Sequence, residues 1–208
     1  MLYYLIVIIF SVIIHESGHL LSALYFKVKV KAFSVGFGTI LIHKKWKNID
    51  WRISLLPFGG YCDIEESIYI ENSLSNISYL KQVIILMAGV FLNLLLACIC
   101  YFIQYKSISK GIIIDLYIFK YIFLKDYNSI AIILNTFKAN IYLVQISVLN
   151  FFLFLTNILP IPALDGGYLW MLPLRRKIGE ILFKRIVYTF FSLLMIAQFI
   201  LIYYWWML

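Results

Sequence analysis

The chain has 208 residues, 63% of them hydrophobic and 13% charged, with a formal net charge of +8. Ordinary soluble domains hold about 45–50% apolar and about 25% charged residues, so the surplus apolar surface needs a non-aqueous solvent. That excludes a soluble enzyme, a disordered chain and a free nucleic-acid binder, and it assigns the 18 Lys and Arg to loops facing anionic headgroups.

In chain order, the first predicted element is a membrane span over residues 1–26. It lacks a basic leader and a small-residue cleavage site, so it is read as retained and not as a signal peptide. Residues 27–72 differ in character. Lys27, Lys29, Lys31, Lys44, Lys45, Lys47 and Arg52 fall here, seven of the 18 basic residues, which places this loop on the cytoplasmic side and the N-terminus outside. Alternation at 27–34 and 49–56, with Gly36, Gly38, Pro57, Gly59 and Gly60 as punctuation, predicts two or three short strands lying against the membrane. A second span is expected within 79–105, its apolar run at 83–102. Here Cys98 and Cys100 read as small core residues, since three cysteines make no disulfide framework. Residues 106–138 are apolar but interrupted by Asp115, Lys120, Lys125 and Asp126, and read as one or two helices at the outer surface. A third span at 139–159 runs on to Gly167. Arg175, Arg176 and Lys177 follow on the cytoplasmic side, and a last span occupies 178–208, with Tyr203, Tyr204, Trp205 and Trp206 as an outer aromatic belt. The expected fold is an α-helical integral membrane protein forming one domain. It has about four transmembrane helices, or six if 106–138 adds a pair, and a small membrane-associated β-region between the first two.

Polar side chains inside a span are costly and point to function. The first span contains His15-Glu16-Ser17-Gly18-His19. Histidines four apart share one helical face and can hold one metal ion, and the adjacent glutamate can act on a water at that metal. Zinc lowers the pKa of bound water to about 7, and the carboxylate takes its proton. His15 lies about 22 Å along a helix begun at Met1, below the surface of a hydrocarbon core about 30 Å thick and nearer the cytoplasmic face. A catalytic zinc also needs a third protein ligand. Asp165 follows the third span within Asn157-Ile158-Leu159-Pro160-Ile161-Pro162-Ala163-Leu164-Asp165-Gly166-Gly167. The prolines end the helix, the glycine pair is expected to turn the backbone so that Asp165 points back inward, and the span count puts it on the same side as His19. His43, beside Lys44 and Lys45, reads as a surface residue, and Glu65 and Glu66 either shape substrate entry or, the preferred reading, form a solvated loop face. Asn93 either hydrogen-bonds within the core or pairs two helices.

These residues resemble the site-2 protease family of intramembrane zinc metalloproteases, peptidase family M50. His15 to His19 looks like the family's His-Glu-x-x-His span, and Asn157 to Gly167 like its Asn-x-x-Pro-x-Pro-x-Leu-Asp-Gly motif. Leu56-Pro57-Phe58-Gly59-Gly60-Tyr61 is similar to the membrane-associated strand motif, and Ala88-Gly89-Val90-Phe91-Leu92-Asn93 to Gly-Pro-x-x-Asn, with Val90 in place of Pro. The resemblance implies one zinc per chain on His15, His19 and Asp165, with Glu16 as general base and later proton donor. It also implies substrate-binding roles for Asn157, Gly59, Gly60 and Asn93, the strand at Gly59 and Gly60 pairing with unwound substrate backbone. The expected partners are a membrane-anchored protein substrate, the lipid bilayer and a membrane regulator protein, with no nucleic acid, in a bacterial cell membrane.

Sixty-three residues separate Asn93 from Asn157 and 41 follow Gly167, so a minimal member without PDZ or CBS domain is expected. The strand motif followed by acidic residues resembles the short branch that includes the sporulation protease acting on a membrane-tethered pro-sigma factor. Val35-Gly36-Phe37-Gly38 looks more like the PDZ-bearing branch. The competing classes are a non-catalytic metal-binding membrane scaffold and a metal transporter. The first is disfavoured by the presence of Glu16 with all three candidate ligands, the second by the lack of a polar path in the second and last spans.

Overall fold

The structure, a computed structural model, describes residues 2–67 and 69–207. It divides into two compact units, Met1–Leu155 and Thr156–Leu208.

In the first unit, α1 (Leu2–Tyr25) enters a two-stranded sheet of β1 (Val30–Trp46) and β2 (Ile49–Ile64). A short 3-10 turn, Leu74–Asn76, precedes α2 (Tyr79–Tyr105), α3 (Ile108–Phe123), α4 (Tyr127–Thr136) and α5 (Ile141–Asn157). Among the described residues, two helices are long and apolar enough to cross a bilayer, over Tyr3–Tyr25 and Tyr79–Tyr105. A third candidate is α4 together with α5, a pair bent by 116°. Among the described residues the protein is thus mostly helical with two or three candidate spans, the third differing from the expected run at 139–159. The bend explains the difference at the third: α5 by itself is only 17 residues, short of the roughly 20 a crossing needs.

The β-region departs from the expected two or three short strands. Its strands are 17 and 16 residues long, and each doubles back on itself. Residues 32–35 face two partners, 60–63 on one side and 50–53 on the other, while 40–46 pairs with 49–54 as a hairpin. Four segments therefore lie side by side, in the order 60–64, 30–37, 49–54, 40–46. The fold-back in β1 falls at Gly36 and Gly38, whose φ angles of 91° and 83° are left-handed and suit glycine. At the hairpin Asp50 accepts from Arg52 Nε at 2.7 Å and lies 3.2 Å from His43, and the guanidinium holds its carboxyl below the usual range.

The loop after β2 is not a solvated acidic face at Glu65. That residue is buried, accepts backbone N–H bonds from Glu66 and Ser67 at 3.1 Å, and exchanges backbone bonds with Lys29 and Leu74. The Ser67 bond foremost holds its carboxyl below the ordinary glutamate range.

Residues 106–138 form two helices. Ser107 caps α3 by accepting from Lys110 N–H, and Asp126 caps α4 by accepting from Ser129 N–H, each meeting one of the donors a helix start leaves free. α3 buries one face, including Ile114, Asp115 and Ile118. Tyr101 of α2 donates to Asp115 at 2.7 Å. Gly111 is required there, because a Cβ would stand 2.2 Å from the Tyr101 ring.

In the second unit, residues 158–164 lead into α6 (Asp165–Ile178), followed by α7 (Glu180–Met207). Arg175, one of the basic cluster expected on the cytoplasmic side, is buried. It donates to Tyr168 Oη at 3.3 Å and lies 5.2 Å from the Phe183 ring centre. The aromatic belt expected at Tyr203, Tyr204, Trp205 and Trp206 lies outside the described residues as far as its side chains are concerned.

Candidate metal centre

The first unit builds two thirds of the expected ligand set from one helix face. His15 and His19 sit four residues apart on α1, which turns both rings the same way. Their Nε2 atoms are 3.2 Å apart, and both residues are buried. His15 stands about 15 Å from the Tyr25 end of its span, at about 1.5 Å per residue, deep in apolar surroundings where two imidazoles need a strong reason to be retained.

The distal nitrogens explain the convergence. His19 Nδ1 lies 2.8 Å from the Ile85 carbonyl oxygen. A carbonyl only accepts, so Nδ1 carries the proton and Nε2 presents its lone pair. His15 Nδ1 lies 3.1 Å from Asn93 Nδ2. Engagement of Nδ1 by an outer partner is the usual arrangement behind a metal-ligating histidine. Two Nε2 atoms 3.2 Å apart, each ring braced from behind, fit a zinc ion in donor chemistry.

α2 comes close enough to supply those braces because the contact surfaces are small. A Cβ on Gly18 would fall 2.6 Å from the Ala88 backbone, and one on Gly89 2.5 Å from His19 Nε2 and 2.6 Å from the His15 carbonyl oxygen. Small residues let two membrane helices approach to backbone contact. On the α1 side Ser22 donates back to the Gly18 carbonyl at 2.7 Å, so its hydroxyl is satisfied within the helix. Further along the same face Ser11 accepts from Asn150 Nδ2 at 2.9 Å, fixing α5 to α1.

Glu16 is half-buried, and the sheet reaches it through Gly60. A Cβ on Gly60 would meet Ser34 O at 2.6 Å, Val12 Cγ1 at 3.0 Å and Glu16 Cγ at 3.4 Å. The strand motif therefore lies beside the candidate base. Gly59 has a φ of 139° and would meet the Phe37 ring. Asn93, one of the expected substrate-binding residues, is fully buried and turned towards His15, the core hydrogen bond of its two alternatives. Gly60→Ala is expected to lower peptide hydrolysis about 10²-fold, the cost of about 1 Å of misplacement, with zinc content unchanged. Hydrolysis at the wild-type rate would show that the close approach has no role.

Asp165 and Asn157 belong to the second unit. Asn157 ends α5 and Asp165 begins α6. The expected backbone turn at Gly166 and Gly167 is corrected: both are helical, and the left-handed residue is Ala163, φ 90°. The glycines serve close packing instead. A Cβ on Gly166 would be 2.4 Å from Ile158 O, and one on Gly167 1.9 Å from Ile161 O, so only hydrogen-sized side chains let the loop fold back over the first turn of α6.

The profile of peptidase family M50 matches residues 3–199. A protein of Campylobacter jejuni named as a putative zinc metalloprotease is 41% identical over 106 residues, covering 47% of this chain and 29% of that protein. A protein of Chlamydia trachomatis with the same name is 36% identical over 113 residues, covering 47% and 18%. A chloroplastic membrane metalloprotease of Arabidopsis thaliana is 32% identical over 105 residues, covering 47% and 24%. The matched stretch spans less than a third of each of these relatives. With the histidine pair braced on α1 and the family's profile running along almost the whole sequence, the chain belongs to peptidase family M50.

Proposed function

We propose that this chain is a membrane-embedded zinc endopeptidase that hydrolyses peptide bonds of single-span or membrane-tethered proteins near the cytoplasmic face. The observation that carries the reading is the pair of Nε2 atoms 3.2 Å apart inside a candidate span, next to a carboxylate. Asp165 is the third ligand in this reading, giving the two-histidine, one-carboxylate set of hydrolytic zinc sites. Zinc supplies Lewis acidity that polarises the substrate carbonyl and lowers the pKa of water.

The chain's own residues do the rest. Glu16 takes the proton of the attacking water and delivers it to the leaving nitrogen, so one carboxylate serves as base and then acid. His15 and His19 present Nε2 on one helix face, their Nδ1 atoms engaged by α2. A helical substrate hides its peptide bonds, so it must unwind before attack, and an unwound strand in a membrane needs hydrogen-bond partners. Segment 60–64 pairs on one side with 30–35 and lies beside Glu16, which suits strand addition at Gly59 and Gly60. Asn157 holds the substrate chain from the second unit.

The topology that suits this chemistry has four spans, α1, α2, the apolar run of residues 139–159 that holds α5, and α7, with α3 and α4 at the outer side, in a bacterial cell membrane. The basic loop of residues 27–52 then faces the cytoplasm, and a membrane regulator protein is a further expected partner.

The test is zinc content of the detergent-purified chain. Wild type is expected to hold about one zinc, a His15→Ala, His19→Ala double variant none, and Asp165→Ala markedly less than wild type. A metal-free wild type purified with zinc supplied would overturn the reading. Full zinc retention in Asp165→Ala would assign the third ligand elsewhere.

A further inference from the structure

Asn93 is fully buried in the middle of α2, a helix apolar and long enough to cross a bilayer. An amide in such surroundings is expensive unless it is paired. Its Nδ2 is 3.1 Å from His15 Nδ1, while its Oδ1 is buried without a hydrogen-bond partner among the described residues. The amide thus spends one end on a histidine and leaves the other unspent.

We propose that Asn93 is the positioning residue of His15, the group that sets which of its ring nitrogens faces the metal. The inference rests on the zinc reading above. When Nε2 of His15 ligates a metal, Nδ1 carries the proton and needs an acceptor. Half a turn about the Asn93 side chain replaces Nδ2 by Oδ1 opposite Nδ1, converting the pair to a ring N–H donating to an amide oxygen. The unpartnered oxygen is the acceptor such a bond requires.

The spacing on α2 supports this. Three positions of α2 that meet the histidine pair are Ile85, Gly89 and Asn93, four apart and therefore on one helical face. Ile85 offers its carbonyl oxygen to His19, Gly89 lets the backbone in, and Asn93 reaches His15 with a side chain. One histidine is thus braced by backbone and the other by an amide. No member of the trio is itself a ligand. Asn93 consequently belongs behind the metal ligands, and not among the groups that touch substrate.

The experiment measures zinc affinity of the full chain in detergent by competition with a chelator of known affinity, for wild type, Asn93→Leu, Asn93→Ser and Asn93→Asp. Loss of an outer partner of a ligating histidine costs about 10–100-fold in metal affinity, and that loss is expected for Asn93→Leu. Asn93→Ser, too short to reach Nδ1, is expected to lose as much and keeps the comparison open should the leucine variant not fold. Asn93→Asp offers a carboxylate to the Nδ1 proton and is expected to recover most of the affinity. Equal affinity in wild type and Asn93→Ser would overturn the inference, as would equal losses in Asn93→Asp and Asn93→Ser, which mark a packing role. A wild type that binds no zinc at all would instead remove the zinc reading on which the inference rests.

Discussion

Glu16→Gln is expected to bind zinc as the wild type does and to lose about 10²–10⁴-fold in peptide hydrolysis, the usual contribution of a positioned general acid–base group. The reasoning is geometric. Glu16 follows His15 directly on α1, so its side chain projects beside the histidine face and not within it. It is half-buried and bordered by Gly60 of β2, a place where a substrate strand and a water could both reach it. Glutamine keeps the size and polarity of the side chain and removes only its ability to take a proton. Zinc content measured beside cleavage of a single-span test protein in the same detergent separates the two roles. Hydrolysis within a few fold of wild type would sink the general-base assignment, and loss of zinc would make Glu16 a ligand.

Gly89→Ala has the second-largest expected effect, and it acts on metal and fold together. The added methyl would stand 2.5 Å from His19 Nε2 and 2.6 Å from the His15 carbonyl oxygen. The ring nitrogen faces the metal in the proposed site and the carbonyl is backbone, so neither gives way without moving α1 against α2. Overpacking of this kind costs about 1–3 kcal/mol. The shift also pulls Ile85 and Asn93 away from the distal ring nitrogens. The expected outcome is a lower thermal midpoint with zinc affinity reduced at least as far as in Asn93→Leu. Wild-type zinc affinity in Gly89→Ala would show that the helices reseat without disturbing the rings, and the close approach would then have no bearing on the metal.

Much of this protein was legible in its residues because the relevant physics is local. Apolar runs long enough for a bilayer mark α1 and α2, since a hydrocarbon core accepts only segments that satisfy their own backbone. The four-residue spacing of His15 and His19 is enough to place both rings on one face, whatever the helix packs against. The glycines of 36–38 and 59–60 announce reversals of the chain, though not their consequence.

The tertiary structure decided the rest, for reasons no local pattern carries. Asn93 is 78 residues from His15, and their bond exists only because Gly18 and Gly89 let two helices cross at backbone distance. The doubled-back strands depend on residues 32–35 having partners on both edges, a long-range pairing that alternation alone does not specify. Glu65 looks like a solvated charge in the sequence, and Arg175 like one member of a cytoplasmic-side basic cluster. Each proved buried, because backbone donors receive the one and Tyr168 with Phe183 receives the other. Gly166 and Gly167 were expected to turn the chain, yet they act by leaving room for the carbonyls of Ile158 and Ile161. Residue spacing thus determined which side chains share a helix face, a property of one helix alone. Which partners those faces meet is a property of two elements, and only the packing of one against another set it.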